Sequence, residues 1–350
     1  MVGEPLTPLV SVVVPVHNEE PFLRQCLDSI VGQTYPRMEI VVMDDGSTDR
    51  SWDITVSYGS RLRPFRQPVN RGQFANVNDG IKMARGDYIA VYHADDIYDS
   101  EIVSREVDYL RRHPEAGAVF CLDVFIDAEG REYGRLEIPR ELRSEAPLPY
   151  PAVLNGLLRY KNAFLVGPTA MVRASAYEEL GVFRGEIFGI ASDLEMWLRI
   201  ARVHPIGVIA EHLHYYRHGH GSLSERYNHL RTEPERHFQI LDRDLEEGGR
   251  ALATPDSLAA HEAHRAEDWL MVAINHYIVE DLSASKDALR KVTLGALLPS
   301  DKVQRFRLSL LLLAMRMLVR LPWLAITARM FYARWHGDKA WGAPTMDASR

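Results

Sequence analysis

A chain of 350 residues with 46% hydrophobic content is long enough to bury one large core or two smaller ones. Its net charge of −7 speaks against bulk nucleic-acid binding. Two cysteines, Cys26 and Cys121, are too few for a disulfide framework and point to a reducing, cytosolic compartment.

Met1 to Pro8 lacks the charged and apolar regions of a signal peptide. Val10–Val16 is a valine-rich run of the kind covered on both faces in a parallel sheet. His17-Asn18-Glu19-Glu20 turns into Pro21–Gln33, where Phe22, Leu23, Leu27, Ile30 and Val31 recur at helical spacing. Glu39–Met43 predicts a second strand, which ends in Asp44-Asp45-Gly46-Ser47-Thr48-Asp49 before a helix near Asp49–Gly59. A third strand is expected at Arg63–Gln67, a turn at Asn70–Gln73, a helix over Phe74–Ala84 and a buried strand over Tyr88–Tyr92. That strand ends in the pair Asp95-Asp96. Read alone, the pair serves equally as turn and helix-cap residues ahead of a helix over Ile97–Leu110. The alternation gives the α/β class with a parallel, doubly wound sheet. Asn18-Glu19, Asp44-Asp45 and Asp95-Asp96 then share the C-terminal edge, where open α/β sheets bind ligands. Two carboxylates there suit a hard divalent cation that bridges phosphate oxygens.

Together, Pro15-Val16-His17-Asn18-Glu19, Asp44 to Asp49, Asn70-Arg71-Gly72 with Asn78 and Gly80, and Ala94-Asp95-Asp96 resemble family 2 glycosyltransferases. The resemblance runs from about Leu9 to His220. It implies a GT-A nucleotide-binding sheet with helices on both faces and a nucleotide-diphosphate sugar donor, UDP preferred. A divalent metal (Mn or Mg) and inversion at the anomeric carbon are implied with them. It further implies that Pro15, Val16, His17, Asn18 and Glu19 line the nucleoside. Asp45 would accept from the base imide, with Asp44 beside it, and Arg71 would contact base or phosphate. Asp96 is the implied principal metal ligand, with Asp95 at the ribose or a metal-bound water. The bland alternatives are an Asx-turn at Asp44-Asp45 and a solvated Arg71.

Further on, a helix is expected over Glu101–Arg112, a strand over Gly117–Phe125 and a hairpin turn at Asp127–Gly130. Arg135–Tyr150, charged, proline-dotted and without period, is a mobile loop over the site, a disordered stretch or a plain connection. Asn162–Val172 and Ala174–Leu180 resemble the family's acceptor-side strand and helix, with Gly167 letting backbone approach the donor sugar. In Ser192–Ile200, apolar residues at helical spacing put Asp193 in a first turn, where the macrodipole favours a carboxylate. The family motif carries Glu where this chain has Ser192, whereas Asp193, Glu195 and Trp197 match. Asp193 is therefore the implied general base, Glu195 the second candidate, and Trp197 a core residue. Val208–Ile209 is expected to be a last short strand. After it the resemblance implies Arg217 at the diphosphate and His220 as a further metal ligand, although the family's usual His aligns with Gly219.

The C-terminal third is expected to be α-helical: His229–Gly248, Ser257–Asp281 and Ser285–Leu297, with His261 and His264 facing solvent. In Lys302–Trp335, Arg305, Ser309, Arg316, Arg320, Thr327 and Arg334 fall within roughly 60° on a helix that is otherwise largely apolar. That suits peripheral membrane contact or, equally, packing against protein. The expected division is a catalytic domain over 1–225, a helical extension over 226–300 and a basic amphipathic tail over 301–350. The expected role is a cytoplasmic transferase, free or docked on the inner membrane face, that serves surface polysaccharide or glycolipid synthesis. Its acceptor is a glycan or lipid-linked hydroxyl. A non-catalytic nucleotide-sugar-binding scaffold is the alternative.

Overall fold

The computed structural model describes residues 7–219, 227, 230–297, 302–321, 323–327 and 329–330. They fall into two compact units, one within Met1–His220 and Glu246–Arg250, the other within Gly221–Leu245 and Ala251–Arg350.

The first unit opens with β1 (Val10–Val16), α1 (Glu20–Val31), β2 (Met38–Asp44), α2 (Ser51–Ser57), β3 (Arg63–Arg66), α3 (Gln73–Met83) and β4 (Tyr88–Val91). β1 lies between β2 and β4, all parallel, with Val12 in register with Ile40 on one side and Ala90 on the other. Burial on both faces explains the valine-rich run. α3 sits close on this sheet because Gly80 has no side chain. A Cβ there would come within 2.4 Å of Val13 Cγ1 and 2.9 Å of Met43 Cγ.

Beyond β4 the sheet becomes mixed. The chain continues through β5 (Ile97–Tyr98), α4 (Ile102–Arg112), β6 (Ala118–Ile126), β7 (Glu132–Arg135), α5 (Tyr150–Tyr160), β8 (Met171–Arg173), α6 (Ala174–Leu180), α7 (Gly185–Phe188), α8 (Ser192–Ala201) and β9 (Ile206–Arg217). The strand order is β3-β2-β1-β4-β8-β6-β9-β5, with β7 on β6. Three expectations change. The strand expected over Asn162–Val172 is only the three residues of β8, preceded by a 3-10 turn over Gly167–Thr169. The expected last strand Val208–Ile209 belongs to the twelve residues of β9, parallel to β6. The helix expected from Ile97 starts only at Ile102, because Ile97 and Tyr98 pair with β9. Arg135–Tyr150 is a packed connection: Ile138, Leu142 and Leu148 are buried, and Leu148 bridges to Ile206.

The second unit contains α9 (Arg236–Glu246), most of which it holds, and α10 (Pro255–Ile278), α11 (Leu282–Arg290) and α12 (Lys302–Leu318). Thr254 and Asp281 cap α10 and α11, accepting from Ser257 N and Ala284 N. The core is built from Leu270, Ala273, Tyr277, Leu289, Val292, Leu312 and Met315. His261, expected in solvent, is buried against Phe238 and lies 3.0 Å from Asp242. Among the described residues no helix is long and apolar enough to cross a membrane.

Candidate active site

The turns after β1 and β2 clasp each other. His17 Nδ1 lies 2.9 Å from Asp45 O, Asn18 N donates to Ser47 Oγ, and Asn18 Oδ1 accepts from Thr48 N at 2.8 Å. Asn18 adopts φ 57°, a left-handed conformation that asparagine tolerates. Glu19 N donates to Ser51 Oγ at 2.9 Å. Pro15 and Val16 are the last residues of β1, with Val16 buried. Asp44 is wholly buried and closes its turn, accepting from Ser47 N at 3.0 Å, with Arg66 Nε 3.3 Å away. Asp45 reaches the next loop instead: its two oxygens accept from Arg71 N at 2.8 Å and Gly72 N at 2.9 Å. Arg71 itself is half exposed and ion-paired with Asp79 at 2.7 Å.

At the end of β4, ligand atoms of His93, Asp95 and Asp96 lie within 4.8 Å of one another. Asp96 is fully buried, and burial together with the Asp95 charge pushes its carboxyl above the usual range, against the pull of His214 and His93. Its Oδ1 accepts from Arg217 N at 2.8 Å. Its Oδ2 lies 3.2 Å from His214 Nε2, in poor alignment, and has no hydrogen bond of good geometry. A buried anionic oxygen left in that state is what a bound cation would satisfy. This donor set, one imidazole and two carboxylates, fits a divalent metal.

Behind the pair stands a layer that the sequence did not reveal. His214 Nδ1 lies 2.8 Å from Asp123 Oδ1. Burial opposes the charged ring, but Asp96 and Asp123 outweigh it and push His214 up to about 10. Tyr98 stacks on Tyr92 at 3.9 Å, its oxygen accepts from His93 N at 2.6 Å, and Tyr92 donates to Glu106. Burial pushes the Glu106 carboxyl well above the ordinary range.

Asp193 lies in the first turn of α8, half-buried. Burial pushes its carboxyl up to about 6, against the Leu194 N–H and the His93 charge. Leu194 N donates to Oδ1 at 2.7 Å. A Cβ on Gly167 would stand 3.3 Å from Oδ2, so the glycine keeps that oxygen open. Glu195 is placed differently. Its oxygens hold Arg184 at 3.1 Å and Arg199 at 3.0 Å, which leaves Asp193 as the group free to take a proton. Trp197 is core, edge-on to Phe120 and Phe183.

Arg217, expected at the diphosphate, is engaged by protein groups. It is buried, over the Phe22 ring, and donates to Asp95 O at 2.8 Å, Ala128 O at 2.9 Å and Gln25 Oε1 at 2.8 Å. Its guanidinium is spent on holding the turn that carries Asp95 and Asp96. His220 lies outside the described residues. Among the described residues, His93 is the imidazole of the acidic group. Its position two residues before Asp95, at a strand end, was the available signal.

The profile of glycosyl transferase family 2 matches residues 11–181. The chain belongs to glycosyl transferase family 2. An uncharacterized glycosyltransferase of Rickettsia felis is 30% identical over 202 residues, 57% of this chain and 32% of the relative. The chain thus spans about a third of that relative's length. Residues 1–349 of TarS from S. aureus superpose with a TM-score of 0.57 at 17% identity, covering 93% of this chain and 92% of that one. The mannosyltransferase PcManGT from Pyrobaculum calidifontis, solved with GDP-Man and Mn2+, gives a TM-score of 0.52 at 20% identity over 96% and 90%. At such identities the likeness shows the fold, which is the GT-A type. The family match takes in the strand ends with Asp45, Asp95 and Asp96 but stops short of Asp193 and Arg217.

Proposed function

We propose that the chain is a metal-dependent inverting glycosyltransferase. It moves a sugar from a nucleoside diphosphate donor, UDP-linked in the first instance, to an acceptor hydroxyl of a glycan or lipid-linked glycan at the cytoplasmic side. The observation that carries this reading is the position of His93. It belongs to the group with Asp95 and Asp96 and stands within electrostatic reach of Asp193. The candidate base and the candidate metal group therefore share one neighbour, as a single displacement between leaving group and nucleophile needs.

His93, Asp95 and Asp96 would hold the ion, Mn or Mg, which when bound offsets charge on the departing diphosphate. Asp193 Oδ2 takes the acceptor proton as the hydroxyl oxygen bonds to the anomeric carbon and the bond to the diphosphate oxygen breaks. A carboxyl near 6 is anionic at neutral pH yet more basic than an ordinary aspartate, which suits a general base. Each Asp45 oxygen, already bound to one backbone N–H, keeps a lone pair for a base imide. Pro15 to Glu19 and Arg71 border the same place. The solved complexes support the donor class: TarS has been crystallised with UDP-GlcNAc and PcManGT with GDP-Man and Mn2+.

The test is nucleoside diphosphate release from a panel of UDP-, GDP- and dTDP-sugars with Mn2+ or Mg2+. Slow metal-dependent hydrolysis of one donor, lost in Asp96→Asn, is the expected result. Metal-independent release, or release unaffected by Asp96→Asn, would sink the metal assignment.

A further inference from the structure

Helix α12 is apolar on two opposite sides. Leu308, Leu312, Met315 and Val319 are buried in the helical core of the second unit. At about 100° per residue, Phe306, Leu310, Leu313 and Met317 form a stripe on the far side. They are 67%, 52%, 50% and 68% exposed. The pattern resumes with Trp323, Ile326 and Met330, at 63%, 53% and 68%. Aligned large apolar side chains in solvent are not the scattered exposure of an ordinary surface.

Charge decides what covers this stripe. Between positions 302 and 330 the chain carries Lys302, Arg305, Arg307, Arg316, Arg320 and Arg329 and no Asp or Glu, within a protein of net charge −7. Arg329 is ion-paired with Glu280, and Arg316 donates to Val292 O. Arg307 flanks the exposed stripe on one side and Arg320 on the other, both exposed. A second copy packed on this face would set arginine against arginine with no acid in the segment to answer it. We infer that the stripe docks on an anionic lipid bilayer. α12 then lies in the plane of the interface, with Phe306, Leu310, Leu313 and Met317 at the acyl boundary and the flanking arginines among lipid phosphates. This narrows the sequence-level expectation of a broad apolar face, half of which the core uses. It stands independently of the donor and metal assignments.

The test is flotation of the full chain with vesicles of phosphatidylcholine alone and of phosphatidylcholine with one third phosphatidylglycerol. Binding is expected only to the anionic vesicles, weakened about tenfold or more in Phe306→Ser/Met317→Ser and, separately, in Arg307→Glu/Arg320→Glu. All four side chains are exposed, so both variants should melt like the wild type. No retention on anionic vesicles, or equal retention of the variants, overturns the inference. So does light scattering that finds a dimer which Phe306→Ser/Met317→Ser turns into monomers, because the face then belongs to a second copy.

Discussion

Asp193 sits where its own charge is unwelcome: burial raises its carboxyl to about 6. Function and stability should therefore respond to it with opposite signs. As the proposed base it must be ionised, so kcat/KM is expected to rise with pH through about 6 and level off above. Asp193→Asn should lower kcat by about 10²–10⁴-fold. For the fold, the folded-state value lies above the unfolded 3.8, so the protonated form is the stabilising one. That contribution is full below the unfolded value and is lost as pH rises through about 6. Asp193→Asn should then raise stability at neutral pH by about 1–3 kcal/mol, read from thermal unfolding. A lowered melting temperature would mean that the carboxylate makes stabilising contacts instead. Arg217 gives the contrasting case. Its bonds all go to protein, so Arg217→Ala should cost about 2–4 kcal/mol in chemical unfolding. A variant of undiminished stability with a raised KM would return Arg217 to the ligand.

At the scale of elements, close approach has consequences as direct. Gly207 lies in β9 against Tyr109, and a Cβ there would come within 2.1 Å of the ring. Gly207→Ala should destabilise by about 1–3 kcal/mol, measured by thermal unfolding, through displacement of Tyr109 and α4. A melt identical to wild type would mean that the ring moves freely. The parallel half of the sheet was legible because β1, β2 and β4 are largely apolar runs closed by turn residues; Asp44 ends β2, and Asp45, Asp95 and Asp96 come after their strands. β9 was not, because Glu211, His212 and His214 stand in its middle. His214 is tolerated inside only because Asp123, 91 residues earlier, and Asp96 flank it. Partners that distant leave no local pattern. The protein partners of Arg217 were hidden for a related reason: a basic residue after a strand gives no sign of the carbonyls of the Asp127-Ala128 turn beneath it. Glu195 matched its motif in sequence, but only the fold shows Arg184 and Arg199 already on it.

For the whole molecule, a cation at His93, Asp95 and Asp96 would relieve a buried carboxylate whose Oδ2 has only the poorly aligned contact with His214. Mn2+ should therefore raise the melting temperature of the wild type, in line with about 2.7 kcal/mol at a hundred times Kd. Asp96→Asn should show no such rise, and an equal rise in both would place the metal elsewhere. In the proposed mechanism, binding and chemistry divide between two carboxylates. The most direct measurement is calorimetric binding of the active donor with Mn2+, beside its turnover, in wild type, Asp193→Asn and Asp96→Asn. Asp193→Asn is predicted to bind within about threefold of wild type without turning over, whereas Asp96→Asn loses the metal-dependent part of binding. Full turnover in Asp193→Asn, or undiminished metal-linked binding in Asp96→Asn, would contradict the account.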